Sequence, residues 1–220
     1  VSKITIIITA HQDRGWIDDA ILSAKNQIFR DYDIVFYSNG NPGLKRYAEK
    51  HGLKFILNLN SNGLNSMINS SEGEWIKILH DDDLLVPDSL ESLLKYSEGA
   101  DLVYGDAIYF KNNDLTSGIH YVPPKEVSVK TFFPVFTNPI NWPSVMFRKD
   151  SFIKVGGFDT NVKYAGDYDL YLNFLSNSLT FKYCPEVVIW FRQHKNQHSG
   201  HDSGNKAKGR QYLMKKYIND

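Results

Sequence analysis

The sequence has little with which to cross-link itself, span a bilayer or bind by bulk charge. A single cysteine, Cys184, in 220 residues rules out an intramolecular disulfide and fits a reducing compartment. Alone on an apolar segment, it reads as core filler rather than a nucleophile. No apolar run approaches the ~20 residues that a membrane-spanning helix needs, and the N-terminus opens on a strand-like run. The expectation is therefore a soluble, cytoplasmic chain without a signal peptide, at most peripheral to a membrane. Twenty-five Lys and Arg balance 25 Asp and Glu, so no global field favours nucleic acid or an anionic surface, and no basic patch marks a nucleic-acid partner. Internal repeats and low-complexity linkers are also missing. What the chain does have is 42% hydrophobic content, enough to bury a core as one domain or two fused halves.

The most informative stretch is His80-Asp81-Asp82-Asp83, which ends the apolar run Trp75 to Leu79. A strand there delivers three carboxylates to the C-terminal edge of an open sheet, where α/β proteins bind ligands. Hard oxygen ligands at that place suit Mg²⁺ or Mn²⁺ carrying a diphosphate. The alternative is an Asp-rich helix start, with Asp83 or Asp88 capping a helix near Pro87.

Around that stretch the first half alternates between two periods. Lys3–Ala10 is β-branched and strand-like, whereas Trp16–Phe29 carries Trp16, Ala20, Ile21, Ala24 and Ile28 near a helical repeat. Further strands are expected at Asp33–Tyr37, Leu53–Leu57, Glu74–Leu79 and Asp101–Tyr104, with helices at Leu44–His51, Asn65–Ser70 and Asp88–Ser97. Such alternation predicts a mostly parallel sheet with helices on both faces. After residue 105 it breaks down. Asp106–Phe110 and Ile119–Val122 read as short antiparallel strands around an Asn112-Asn113-Asp114 turn, followed by the aromatic segment Phe132-Phe133-Pro134-Val135-Phe136. Strands are expected at Ser144–Arg148 and Val187–Phe191, and helices at Asp150–Val155, Asp167–Asn177 and Lys206–Ile218. The polar segment Arg192–Gly204 reads as a mobile lid.

Several motifs in order resemble the family 2 glycosyltransferases with the GT-A fold. They are Ile6-Ile7-Ile8-Thr9-Ala10-His11-Gln12, Ser23 with Gln27, Gly63 with Asn69, and Glu72-Gly73-Glu74-Trp75. The series continues through His80-Asp81-Asp82-Asp83 with Pro87, Val155-Gly156-Gly157-Phe158-Asp159, Gly166-Asp167-Tyr168-Asp169-Leu170 and Arg192-Gln193-His194. The ordered series, covering roughly residues 3 to 200, is more specific than any one motif.

The resemblance implies a single Rossmann-like α/β domain over 1–220, with a mostly parallel sheet flanked by helices and a small antiparallel element in the C-terminal half. Residues 1–105 would bind the nucleotide sugar; residues 106–220 would bind the acceptor, supply catalysis and end in a mobile tail. It implies metal-dependent, inverting transfer from a nucleotide-diphosphate sugar, UDP-linked by preference, to a carbohydrate or glycoconjugate hydroxyl in glycan or polysaccharide synthesis. Asp167 takes the place of the base; Thr9, His11, Asn39 and Asp81 contact the nucleotide; Asp82 and His194 hold Mn²⁺ or Mg²⁺; Trp142 offers the acceptor an apolar face. Each role has a plainer counterpart: an N-cap for Asp167, a loop cap for His11, a surface histidine for His194 beside His198 and His201, and core burial for Trp142.

Three departures from the family pattern touch the donor or base region. Ser38-Asn39 replaces an Asp pair, and Asn39 accepts from a uracil imide while adding a donor. Ile68 stands where many members carry Arg, and Gly166 replaces the Glu of the Glu-Asp pair. A non-catalytic sugar- or nucleotide-binding relative is the main rival. A sugar nucleotidyltransferase would need a Gly-rich basic loop after the first strand, where His11-Gln12-Asp13-Arg14-Gly15 offers one Gly and one Arg.

Overall fold

The computed structural model describes residues 3–217 except 61, 133–137, 163–164, 196 and 198–202 and, in its last helix, the side chains at 208, 209 and 211–217. The first unit is β1 (Ile4–Ala10), α1 (Ile17–Lys25), β2 (Tyr32–Asn39), α2 (Lys45–His51), β3 (Lys54–Asn58), α3 (Gly63–Ser70) and β4 (Trp75–His80). Then come β5 (Leu84–Leu85), α4 (Ser89–Lys95), β6 (Leu102–Lys111), β7 (Asp114–Tyr121), α5 (Val129–Phe132) and β8 (Val145–Arg148). The chain closes with α6 (Lys149–Lys154), α7 (Gly166–Ser176), β9 (Phe181–Gln193) and α8 (Ser203–Tyr217).

One nine-stranded sheet runs in the order β3-β2-β1-β4-β8-β6-β9-β5, with β7 added on β6. Pairing is parallel from β3 through β4 and again between β6 and β9. Antiparallel pairs appear where β8 slots between β4 and β6, and at β5 and β7. The isoleucine-rich β1, in which only Thr5 and Thr9 are polar, is explained by burial on both faces. Ile4, Ile6 and Ile8 pack with α1, α2 and α4 on one side, while Ile7 joins Met67 and Ile68 of α3, Phe152 of α6 and the α7 residues on the other. α1 presents Ile17, Ala20, Ile21 and Ala24 to the first layer; of the anticipated repeat Ala20, Ile21 and Ala24 are on this face, whereas Ile28 lies beyond the helix and is exposed.

Two polar groups tie this sheet together. Lys77 of β4 is fully buried and donates to the carbonyls of Pro143 and Val145, holding β8 against β4; burial lowers its pKa to about 7. Buried Thr5 donates to Asp33 at 2.7 Å and accepts from the Gly73 N–H at 2.9 Å, locking the chain entering β4 onto β1 and β2.

The structure differs from the sequence expectation in several places, most of them in the second half; β7, for one, runs Asp114–Tyr121 where Ile119–Val122 was expected. The strands expected at Asp101–Tyr104 and Asp106–Phe110 are one continuous strand, β6. Gly105 is not a break; its missing Cβ admits the Val188 side chain and the Glu186 carbonyl, at a bulge where Pro185 and Glu186 fall outside the β9 register. β9 accordingly starts at Phe181 rather than Val187. The two-residue β5 was not anticipated, being too short to show a period. Finally, Arg192 and Gln193 belong to β9 and Arg192 is 2% exposed, so the expected lid does not begin at Arg192. The rest of that call, including His198 and His201, falls partly outside the described residues, as does most of Phe132–Phe136. Among the described residues no helix is long and apolar enough to cross a membrane.

Gly73→Ala tests the packing under β4. The added methyl would sit 2.7 Å from the Ile4 carbonyl carbon and closer still to the Thr5 nitrogen, with backbone on both sides. The expected loss is about 1–3 kcal/mol, read as a lower urea midpoint at unchanged slope. An unshifted midpoint would mean that β1 yields without cost.

Candidate functional site

The parallel strands β1, β2 and β4 end together, and their C-terminal edge carries the acidic run. The Asp81 N–H donates to the Thr9 carbonyl at 3.1 Å, so the chain leaving β4 crosses over the end of β1, and Asp83 N–H closes a turn onto His80 at 3.3 Å. β5 then pairs Leu84 with Trp190 and Leu85 with Ile189 of β9. This short antiparallel contact carries the end of β9 to the acids.

Arg192 makes the junction. Its backbone N–H donates to Asp83 Oδ1 at 2.9 Å and its Nε to the Asp82 carbonyl at 2.7 Å. The guanidinium also reaches the Asn112 carbonyl and, at 2.7 Å, Asn113 Oδ1 at the tip of the β6–β7 hairpin. It lies between the rings of Trp16 and Phe110, 4.8 and 4.6 Å from their centroids. Trp16 itself donates to Asn113 at 2.7 Å and packs on the His194 ring. His194 Nε2 is 2.9 Å from Asp82 Oδ2, with only 3% of its side chain exposed.

Ligand atoms of His80, Asp82 and Asp83 all lie within 4.8 Å of one another. Asp83 is fully buried, and its Oδ2 has no hydrogen-bond partner. A buried carboxylate oxygen without a donor is costly, and a cation is the group that would satisfy it. Burial, and then the neighbouring Asp82 charge, push Asp83 well above the usual carboxylate range and Asp81 up to about 7. His80 is shifted downward by burial, against the pull of Asp82 and Asp167, so its imidazole favours the neutral form that ligates metals. The donor set of two carboxylates and one imidazole fits a divalent cation such as Mn²⁺. Of the pair anticipated as ligands, Asp82 is in this group, whereas His194 is outside it and lies against Asp82 instead; His80 and Asp83 were not anticipated as ligands. Asp83 does not cap a helix, and Asp88, at the start of α4, makes no side-chain cap.

Asp81 meets Arg14 at 3.2 Å, with both side chains almost wholly buried, and Arg14 is 3.4 Å from His11 Nε2. His11 is exposed and Thr9 half-buried. Asn39 ends β2 and is exposed, with its Oδ1 accepting from Asn58 Nδ2 at 3.3 Å.

Asp167 sits in the first turn of α7. The N-cap position is Ala165, in the left-handed region with φ 65°, so Asp167 is not the cap. Asp167 is half-buried, and burial raises its pKa while Tyr168 N–H, Asn138 and His80 lower it. Asn138 Nδ2 donates to its Oδ2 at 2.6 Å. Asp169 faces away and is bound by Lys216 at 2.8 Å and by Tyr217, so it anchors α8 rather than the start of its own helix. Trp142 opens the 3₁₀ turn Trp142–Ser144 and packs on Phe147, Phe158 and Tyr171; much of its face is used in the core.

Sequence reasoning missed Arg14, Trp16 and Asn138 as members of this site. Arg14 was visible as the lone cation of the loop after β1. Asn138 and the Trp16–Arg192 contact had no local signal, since each depends on a distant partner.

The family model described as Glycosyl transferase family 2 matches residues 5–156. An uncharacterized glycosyltransferase of Rickettsia typhi is 27% identical over 209 residues, covering 88% of this chain and 65% of that protein. The chain thus spans somewhat less than two thirds of that relative. The O-antigen biosynthesis glycosyltransferase WbnJ of Escherichia coli is 26% identical over 204 residues, covering 85% of this chain and 75% of its own. The fold is similar to that of the mannosyltransferase PcManGT from Pyrobaculum calidifontis, solved in complex with GDP-Man and Mn²⁺. Its TM-score is 0.68 at 17% identity, with 99% of this chain and 64% of that one covered. The curled mixed sheet with flanking helices is that of the GT-A glycosyltransferases.

Replacing Arg192 tests the junction. Arg192→Ala strands the Asp82 and Asn112 carbonyls and is expected to cost about 3 kcal/mol. Arg192→Lys should recover less than half, because an ammonium lacks the planar fork. Urea unfolding measures both; a wild-type midpoint in the Ala variant would show that β9 docks without the guanidinium.

Proposed function

The chain belongs to glycosyl transferase family 2, and we propose that it moves a sugar, with inversion, from a nucleotide-diphosphate donor to an acceptor hydroxyl in glycan synthesis. The observation that carries this reading is the His80-Asp82-Asp83 group, with its buried unpartnered oxygen, at the strand edge facing Asp167. In this reading residues 1–105 hold the donor and 106–220 form the acceptor side, with β9 returning Arg192 and His194 to the donor edge.

Thr9, His11, Asn39 and Asp81 line the edge for the nucleoside. Asp82, Asp83 and His80, with His194 against Asp82, would hold a divalent cation, which when bound offsets negative charge building on the leaving diphosphate. Asp167 accepts the proton of the acceptor hydroxyl as that oxygen bonds to the anomeric carbon and the bond to the diphosphate breaks on the opposite face. Trp142 contributes the edge of an apolar wall on the acceptor side. The E. coli relative acts in O-antigen biosynthesis by its name, and a polysaccharide or lipid-linked glycan is the acceptor class favoured here.

Calorimetry with UDP and GDP, each with and without Mn²⁺, tests donor binding. Affinity should rise with Mn²⁺ in the wild type and lose that dependence in Asp82→Asn; equal metal dependence in both would remove Asp82 from the site. At a hundredfold excess over its dissociation constant the preferred nucleotide should stabilise the fold by ~2.7 kcal/mol.

The base is tested separately. Asp167→Asn should keep nucleotide affinity while lowering transfer by ~10² or more, because an amide cannot take the proton. In the wild type kcat/KM should fall as pH drops through the Asp167 pKa, which burial places above 3.8. Near-normal turnover by the Asn variant would refute the assignment. Nucleotide binding without turnover on any of a panel of UDP- and GDP-sugars would instead favour a binding protein.

A further inference from the structure

Asp167 has a partner from outside its own helix. Asn138 Nδ2 donates to Asp167 Oδ2 at 2.6 Å, and the same amide is held from its other end, where Asn138 Oδ1 accepts from the Ile140 N–H at 3.2 Å. This second bond fixes which end of the amide meets the carboxylate. Swapping oxygen and nitrogen would put N–H against N–H at Ile140 and oxygen against oxygen at Asp167.

The segment that carries Asn138 is anchored in turn. The Pro139 carbonyl accepts from the Tyr121 hydroxyl at 2.8 Å, Ile140 is fully buried, and Asn141 Nδ2 reaches the Tyr109 hydroxyl at 3.2 Å. Those two tyrosine rings stack across β6 and β7 with centroids 5.2 Å apart. The amide therefore rides on the β6–β7 hairpin, while the carboxylate rides on α7. Gly166, the residue just before Asp167, has no side chain that could perform the same task. Among the described residues, His80 from the end of β4 and Tyr171 one turn along α7 are titratable groups that also act on Asp167.

We propose that Asn138 is a positioning residue for Asp167: it pins Oδ2 on the hairpin side, so that Oδ1 is the oxygen offered to the acceptor hydroxyl. The inference rests on Asp167 being the base. A neutral amide suits the task, since it fixes the carboxylate plane without the repulsion a second acid would bring or the loss of basicity a cation would cause. It also makes the hairpin, through Tyr109 and Tyr121, part of the geometry of proton transfer.

The test compares wild type, Asn138→Ala and the equally sized Asn138→Asp. Carbon-13 NMR follows the Asp167 carboxyl, identified by its loss in Asp167→Asn, and kcat and donor KM are measured on the nucleotide sugar that the wild type turns over fastest. Losing the donor should raise the Asp167 titration midpoint by about one unit and more in Asn138→Asp. It should lower kcat about tenfold with donor KM within about twofold, and Asn138→Ala should cost nothing further in an Asp167→Asn background. A midpoint and kcat unchanged in both Asn138 variants, with Asp167→Asn inactive, would overturn the role of Asn138 alone. Normal turnover in Asp167→Asn would take down the base assignment and the positioning role together, even if the midpoint moves.

Discussion

Arg192 reaches four separate parts of the chain from one buried guanidinium and its own backbone: the acidic turn after β4, the β6–β7 hairpin tip, Trp16 at the start of α1, and Phe110 of β6. Apart from Phe110 and the hairpin tip, which adjoin in sequence, none of these segments is held to the others by sequence proximity. The Asp83 contact spans 109 residues. A planar cation with donors on fixed directions is the side chain suited to this, because it can meet the carbonyl of buried Asp82 and that of Asn112 at the hairpin tip at the same time. The placement of His194 follows directly. Two residues beyond Arg192, it is delivered to Asp82 as β9 ends.

Electrostatics set the second constraint. Three consecutive carboxylates are crowded at the strand edge, and each is buried, so their charges oppose one another where water screens least. Arg14 relieves Asp81, and the Arg192 backbone relieves one oxygen of Asp83. The remaining oxygen of Asp83 has no hydrogen-bond donor, and a His80 nitrogen lies beside it. The arrangement trades local stability for binding capacity, a pattern expected where a site must hold highly charged groups.

The parallel half was legible because its signals are local. β1 to β4 and their helices show the periods of 2 and 3.6 directly, and the acidic run announces itself at the end of an apolar strand. The second half was less so. Gly105 fell between two expected strands, whereas it is a point of close approach between β6 and β9, and the residues that carry the bulge, Pro185 and Glu186, fell before the strand expected at Val187–Phe191. Asp167 stood out through its motif, but its partner Asn138 did not, since an Asn before Pro is ordinary turn chemistry until the fold brings α7 beside it. Trp142 was read as a platform or as core; most of its ring contacts are core contacts.

The long β9, paired in parallel with β6 and completing the acidic cluster from far along the chain, also has a consequence for how the protein comes into being. During synthesis the β1–β4 layer can assemble as soon as it is released, but the carboxylates it presents lack Arg192 until more than a hundred further residues have been made. Until then β6 has an open edge on the side that β9 will take. Such late, non-local parallel pairing is slow and leaves strand edges exposed in the interval. The docking of Arg192 on the acidic turn and the pairing of β9 with β6 are therefore one step of assembly, which comes after the β1–β4 layer.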